Sequence, residues 1–310
     1  MNRRYSSRHG AAFTLMELLV VIAIISMLVM ILAPGLNKVM KSAKALKQKA
    51  VLHSLEVGLE FFHDENDGYP QSKVESNKGA PPLICGAQHL AEALLGRDQR
   101  GFDPVSKWYA PKQDSALKEY ENDPTSLHRR KKVYTELKDS AVVLLEQLYE
   151  GYSGPVYSSD GTGKILAPVI TDIFRHRKVV LPSGQQYFVG NPILYYKANE
   201  ESKDFEWDPM PTNLSRLIYN YDDNADLIKL GPVQDPVNRK HLFDPAEPYE
   251  YTDIHGAVKT ATGRERFYNT ITDPSVQNYR KPYNPRSFIL MSAGYDGIFG
   301  TKDDVTNFNY

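Results

Sequence analysis

From Leu18 to Ala33 every side chain except Ser26 is apolar. The apolar run opens at Phe13 and reaches Leu36. A helix rising about 1.5 Å per residue over that length crosses a hydrocarbon core of about 30 Å. Glu17 stands five positions into the run, counting Phe13 as the first. Pro34-Gly35 removes a backbone donor and adds freedom, so a break is expected there. Beyond it a helical period resumes. Val39, Ala43, Leu46 and Ala50 line one stripe, continued by Leu52, Leu55, Leu59 and Phe62 at i+3/i+4 spacing. Lys38, Lys41, Lys44, Lys47 and Lys49 lie among them and read as a solvated face near lipid headgroups. The turn cluster Asp64-Glu65-Asn66-Asp67-Gly68-Tyr69-Pro70 predicts that the helix stops before Asp64.

The rest of the chain alternates differently. Leu83 to Gly96 reads as a short helix closed by Gly96, with Leu90, Leu94 and Leu95 as its apolar edge. Val142 to Tyr149 reads as another helical segment. His128-Arg129-Arg130-Lys131-Lys132 is a basic run that reads as solvated. From Val156 the pattern turns to strands. Lys164-Ile165-Leu166 follows the hairpin signal Asp160-Gly161. Tyr187-Phe188-Val189, Ile193–Lys197 and a last strand at Ser287–Ser292 are rich in β-branched and aromatic residues. Residues 199–286 hold Asp, Asn, Pro and Tyr with little periodicity, and read as long loops over a small sheet. The pattern therefore predicts an α+β chain: one long N-terminal helix, then short strands forming a small sheet under long loops.

Composition narrows the function. The 310 residues carry a net charge of −1, which gives no global basic footprint for nucleic acid. Loss of Arg3, Arg4 and Arg8 with an N-terminal leader would make the chain more acidic still. The single cysteine, Cys85, excludes an intrachain disulfide and reads as a small core residue. Enzyme motifs fail. Gly161-Thr162-Gly163-Lys164 lacks the spacing of a phosphate loop, and no His-Glu-x-x-His occurs. The chain is expected not to be an enzyme.

The residues Ala12, then Phe13-Thr14-Leu15-Met16-Glu17-Leu18-Leu19-Val20-Val21-Ile22-Ala23-Ile24-Ile25, preceded by a basic leader, closely resemble the type IV prepilin signal. That resemblance implies cleavage between Ala12 and Phe13 by a prepilin peptidase, methylation of the new N-terminus, and an assembly role for Glu17. The family usually has Gly where this chain has Ala12. A carboxylate in hydrocarbon costs about 2.5–3.5 kcal/mol on insertion scales, so Glu17 calls for a partner. Two readings stand: it snorkels to the interface, or it meets the terminal ammonium of a neighbouring subunit.

The C-terminal stretch Ser292–Asn307 gathers Asp296, Asp303 and Asp304 with Gly294, Gly297 and Gly300. Calcium takes oxygen ligands from carboxylates and carbonyls, though the spacing does not fit an EF-hand. An acidic turn closing the last hairpin without a metal is the other reading of these residues. The stretch resembles the calcium loop of type II secretion major pseudopilins. That resemblance implies Ca2+ ligands at Asp296 and Asp303, with Asp304 and Ser292 beside them.

Together the two ends imply a subunit of a type II secretion pseudopilus with an enlarged middle region, and with it a pilin-like α+β fold in which the long N-terminal helix packs on a small antiparallel sheet with long loops. Its expected organisation is a leader (1–12), a transmembrane segment (13–36), an amphipathic continuation (37–63) and an exported pilin-like domain (64–310) with the acidic loop at 292–307. It would cross the bacterial inner membrane once, with its C-terminal domain in the periplasm. Its expected partners are copies of itself in a filament, the prepilin peptidase, other secretion-system or pilus-assembly subunits and membrane lipid. A type IV pilin for adhesion, motility or DNA uptake, and a membrane-tethered ligand-binding module, are the alternatives.

Overall fold

The structure is a computed structural model that describes residues 14–72, 75–77, 80–97, 99–105, 126–137, 142–149, 168–180, 184, 186–202, 217–252, 258–276 and 280–308. It mixes helices with small antiparallel sheets. The chain divides into two compact units after Ala43. Helix α1 (Leu15–Asn66) contributes to both.

The N-terminal unit is the first part of α1. Its large apolar side chains from Leu15 to Leu36 are exposed. The expected break at Pro34-Gly35 does not occur, because the backbone is helical through both residues. Proline forfeits one ladder hydrogen bond, and the rest of so long a helix keeps its own.

In the second unit α1 ends at Asn66, one turn beyond the predicted stop. Polar contacts hold that extra turn. Lys132 Nζ lies 2.7 Å from Glu65, the Tyr134 hydroxyl donates to Glu65 at 2.9 Å, and the Asn66 amide donates to the Phe62 carbonyl at 2.8 Å. Asp67 then turns the chain with φ 54. The predicted stripe is corrected too. Val39, Ala43, Leu46 and Ala50 are exposed, whereas Val51, Leu52, Leu55, Leu59 and Phe62 are buried, with Gln48 on the same face.

That buried face meets the main sheet. Strands β1 (Glu75–Asn77) and β2 (Ala80–Ile84) form a hairpin that leads into α2 (Gly86–Leu95). Leu83 and Ile84 thus belong to a strand, and only the latter part of the predicted helix is helical. A short turn, α3 (Ser126–Arg129), carries part of the basic run. Arg129 pairs with the buried Asp103 at 3.2 Å, so with Lys132 on Glu65 the run binds acidic neighbours of its own chain. The segment 142–149 is strand β3 (Val142–Leu144) followed by one turn, α4 (Leu145–Leu148), where a helix was expected throughout. β3 pairs with β4 (Pro168–Ile170), and β5 (Arg177–Val180) pairs with β6 (Gln186–Val189). The hairpin expected at 160–166 lies outside the described residues.

The main sheet has three antiparallel strands in the order β11 (Val305–Thr306), β10 (Phe288–Ser292), β7 (Leu194–Lys197). β10 is not the last strand. Its register sets Leu290 opposite Tyr195 and Met291 opposite Thr306. Strand period two splits its side chains between two cores. Phe288 and Leu290, with Tyr195, pack against α1 and α2. Ile289 and Met291, with Leu194 and Tyr196, pack on the other face.

Residues from 217 onward cover that second face with buried side chains, short helices and a hairpin, where the sequence predicts only long loops over the sheet. Leu217, Tyr219, Tyr221, Ile228, Phe243 and Phe267 are all buried there. They come from a 3₁₀ turn (Tyr221–Asp223), α5 (Ala225–Lys229), the flanking segments, and α6 (Gly263–Thr270). A further hairpin joins β8 (Tyr249–Thr252) to β9 (Val258–Ala261). Irregular backbone can be buried here because tyrosine hydroxyls and amides satisfy it. Tyr195 donates to the Pro70 carbonyl and Tyr221 to the Phe243 carbonyl, both at 2.7 Å. Asn224 donates to the Tyr195 carbonyl at 2.8 Å and accepts from the Ala87 N–H at 3.0 Å.

Candidate functional site

The first candidate is the start of α1. Ala12 and Phe13 lie outside the described residues. Thr14 caps the helix and Glu17 closes on it. The Glu17 carboxylate accepts from the Thr14 N–H and hydroxyl, both at 2.9 Å, and the Glu17 N–H donates to Thr14 Oγ1 at 3.2 Å. This is a reciprocal capping box, and it satisfies orphan donors of the first turn. The signature Thr-x-x-Glu was legible as Thr14-Leu15-Met16-Glu17. Glu17 therefore has a partner within its own chain.

The second candidate is the acidic loop between β10 and β11. The loop is held by its own hydrogen bonds. Asp296 N–H donates to Asp303 at 2.9 Å, Ile298 N–H to Asp296 at 2.8 Å, and Gly300 N–H to Asp304 Oδ2 at 2.8 Å. The Thr301 hydroxyl donates to Asp303 Oδ1. Gly294 has φ 66, and a Cβ there would lie 2.1 Å from the Asp303 carbonyl oxygen, so only glycine fits. Outside anchors fix the loop. Gln234 donates to the Asp296 carbonyl at 2.9 Å, and Phe299 N–H donates to His241 Nδ1 at 3.1 Å. Because Nδ1 accepts, the neutral ring carries its proton on Nε2. Burial holds His241 neutral and pushes its pKa down to about 3. Asn307 accepts from the Leu290 N–H at 2.8 Å and donates to Glu56 of α1 at 2.9 Å.

The carboxylates differ. Burial raises the Asp304 pKa well above the ordinary range, with Asp303 and Asp296 adding like charge. Its Oδ1 is buried and has no hydrogen-bond partner among the described residues. Asp296 is raised by burial and by Asp303. Burial opposes ionisation of Asp303 too, but hydrogen bonds from the Thr301 hydroxyl and the Asp296 N–H outweigh it and lower its pKa. An orphaned carboxylate oxygen beside two more acids suits a hard cation in chemistry. In arrangement, no group of three or more His, Cys, Asp or Glu among the described residues is placed to hold a metal ion. Ser292 is buried, and its hydroxyl donates to Asp172 at 3.1 Å.

Comparison with known protein families, characterised proteins and solved structures gives no match.

Asp172 was missed in the sequence, although an acid inside Pro168-Val169-Ile170-Thr171-Asp172-Ile173-Phe174 is the signal of a buried polar group. Its carboxylate accepts from the Phe174 N–H at 3.1 Å and from Ser292. A Cβ at Gly190 would lie 1.7 Å from Asp172 Oδ1, so the carboxyl fills the space a side chain would take. Burial raises its pKa to about 7, against the lowering effect of the Phe174 and Ser292 hydrogen bonds. Cys85 is buried, and burial pushes its thiol up to about 12, which makes it inert at neutral pH.

Proposed function

We propose that the chain is a membrane-anchored, pilin-like assembly subunit, closest in kind to a type II secretion major pseudopilin. The observation that carries this reading is α1. Its first part is long and apolar enough to cross a membrane and exposes its apolar side chains, while its last turns form one wall of a folded domain. In water such a surface is untenable, and lipid or further copies of the helix would cover it. The span would lie in the bacterial inner membrane, with the folded domain in the periplasm. Prepilin peptidase would cut between Ala12 and Phe13, and the mature subunits would associate through α1 to drive protein export. The reading predicts that alkaline carbonate leaves the full chain in the membrane pellet. Release into the supernatant would contradict it.

The acidic loop adds a calcium site to this reading. Asp296, Asp303 and Asp304 would hold the ion, which would cancel their mutual repulsion and occupy the orphaned Asp304 oxygen. Because the three carboxylates are not gathered as a metal group, binding would draw residues 296–304 together. Calcium at a hundredfold excess over Kd stabilises the folded state by about 2.7 kcal/mol. For a domain of this size that is a rise in Tm of about 5–11 °C. Asp304→Asn should remove the response, and magnesium should give less of it. A melting curve indifferent to chelator leaves the loop as a hairpin closure held by its own hydrogen bonds.

A further inference from the structure

A basic patch lies beside the acidic loop and has no role in the function proposed above. It is built from three segments of the folded domain. Lys44 of α1 places its Nζ 5.3 Å above the ring of Tyr295. Tyr295 packs edge-on against Phe174 with centroids 6.5 Å apart, and Phe174 lies 6.4 Å from the His176 ring. His176 Nε2 stands 3.4 Å from the Gly294 carbonyl. The segment bearing Arg239 is pinned to the same neighbourhood from both sides. Gln234 holds the Asp296 carbonyl at 2.9 Å, and Arg177 reaches the Val233 carbonyl at 3.5 Å. Burial lowers the His176 pKa, and the positive fields of Lys44 and Arg239 lower it further. Arg175 adjoins it in sequence and is exposed, as is Arg239.

Among the described residues Lys44, Arg175 and Arg239 form no ion pair. The acid that acts on His176 is Asp303, whose oxygens are already engaged by the Thr301 hydroxyl and the Asp296 N–H. Asp235 is engaged by Asn238. Lys44, Arg175 and Arg239 thus have no direct ionic partner among the described residues, although the acidic loop lies beside them. Guanidinium and ammonium groups with an imidazole are the donors that grip phosphate oxygens.

We propose that this patch, Lys44, Arg175, His176 and Arg239 with Tyr295 at its edge, binds the phosphate of an anionic phospholipid headgroup. The proposal rests on the reading of Phe13–Leu36 as a membrane span. Given that span, lipid is favoured over free phosphate by tethering. Lys44 lies eight steps along the chain from Leu36, about 12 Å as helix and at most roughly 29 Å fully extended. A headgroup layer is therefore always within reach, at a local concentration no dissolved anion matches. An exposed tyrosine beside lysine is also the pairing that suits a lipid–water boundary.

The test uses the full chain in nanodiscs of phosphatidylcholine alone or with phosphatidylglycerol, read by amide hydrogen exchange. Phosphatidylglycerol should slow exchange over residues 172–178 and 234–240 at least about fivefold, the effect of one surface cation. Lys44→Gln with Arg239→Gln should erase the difference. If the double variant melts early, Arg239→Gln alone, an exposed site, replaces it. Inorganic phosphate added to the detergent-solubilised chain should not reproduce the protection. Equal exchange in both discs, with residues 18–33 protected in each, overturns the patch and leaves the span intact. Unprotected amides at 18–33 overturn both. Protection by phosphate alone, or protection that survives the substitutions, overturns the lipid assignment.

Discussion

Replacing Asp172 by Asn should raise stability by up to about 4 kcal/mol at about pH 8 and change it little at about pH 4. The carboxyl is buried against neutral donors, and folding raises its pKa from 3.8 to about 7. Between those values the folded chain holds a proton that the unfolded chain has lost. Its contribution is therefore fully present below about pH 4, falls as pH rises, and is gone above about pH 7. An asparagine copies the protonated form. Its oxygen still accepts from the Phe174 N–H, and its amide donates to Ser292 Oγ, reversing the hydrogen bond that Ser292 gives the carboxylate. His241 runs the other way. Its pKa falls from 6.5 to about 3 on folding, so its contribution is present above 6.5 and is lost as pH falls toward 3. Because His241 is common to both proteins, it cancels in their difference. Urea denaturation of the two full chains across this range measures that difference. A gap that does not widen from pH 4 to pH 8 would show that Asp172 carries its charge without cost.

Glu17→Val should leave membrane insertion intact, or ease it, while cutting helix-mediated oligomers at least about tenfold. Removing one member of a desolvated charge pair costs about 2–5 kcal/mol or more at an interface. The capping box at Thr14 supplies the control. If Glu17 serves only to cap α1, then Thr14→Ala, which removes both hydrogen bonds of the Thr14 hydroxyl and leaves only the one from its N–H, should impair assembly nearly as much. If the carboxylate charge meets a neighbouring N-terminus, Thr14→Ala should retain most oligomers and Glu17→Gln should lose them. Disulfide cross-linking through Met27→Cys reads this out, since native Cys85 is buried and unreactive. Equal yields from Glu17→Val and the parent chain would remove the assembly role.

The parts legible in the sequence were those governed by a single local signal. The apolar run before Leu36 and the stripe Leu52, Leu55, Leu59 and Phe62 follow from spacing, the end of α2 from Gly96, and the strands at 186–189, 194–197 and 288–292 from their β-branched and aromatic residues. Residues 217–271 were not legible, because no period marks a segment whose order comes from tyrosine hydroxyls and one asparagine. α6 did have a signal, Thr262 capping Glu265, which went unread. The exposed stripe Val39, Ala43, Leu46 and Ala50 shows the opposite failure. Its spacing is right, but which of two apolar faces meets a core depends on partners far away in sequence. At the acidic loop, Asp296, Asp303 and Asp304 were found by clustering, whereas Ser292 belongs to Asp172 through a contact across 120 positions of chain.

The central claim is that α1 is the mature N-terminus of a processed assembly subunit. Mass spectrometry of the chain, extracted from membranes of cells that contain a prepilin peptidase, tests it most directly. The expected product begins at Phe13 with a methylated amine. A chain that still begins at Met1, or one cut beyond Ala33 so that the apolar run is lost, would contradict it.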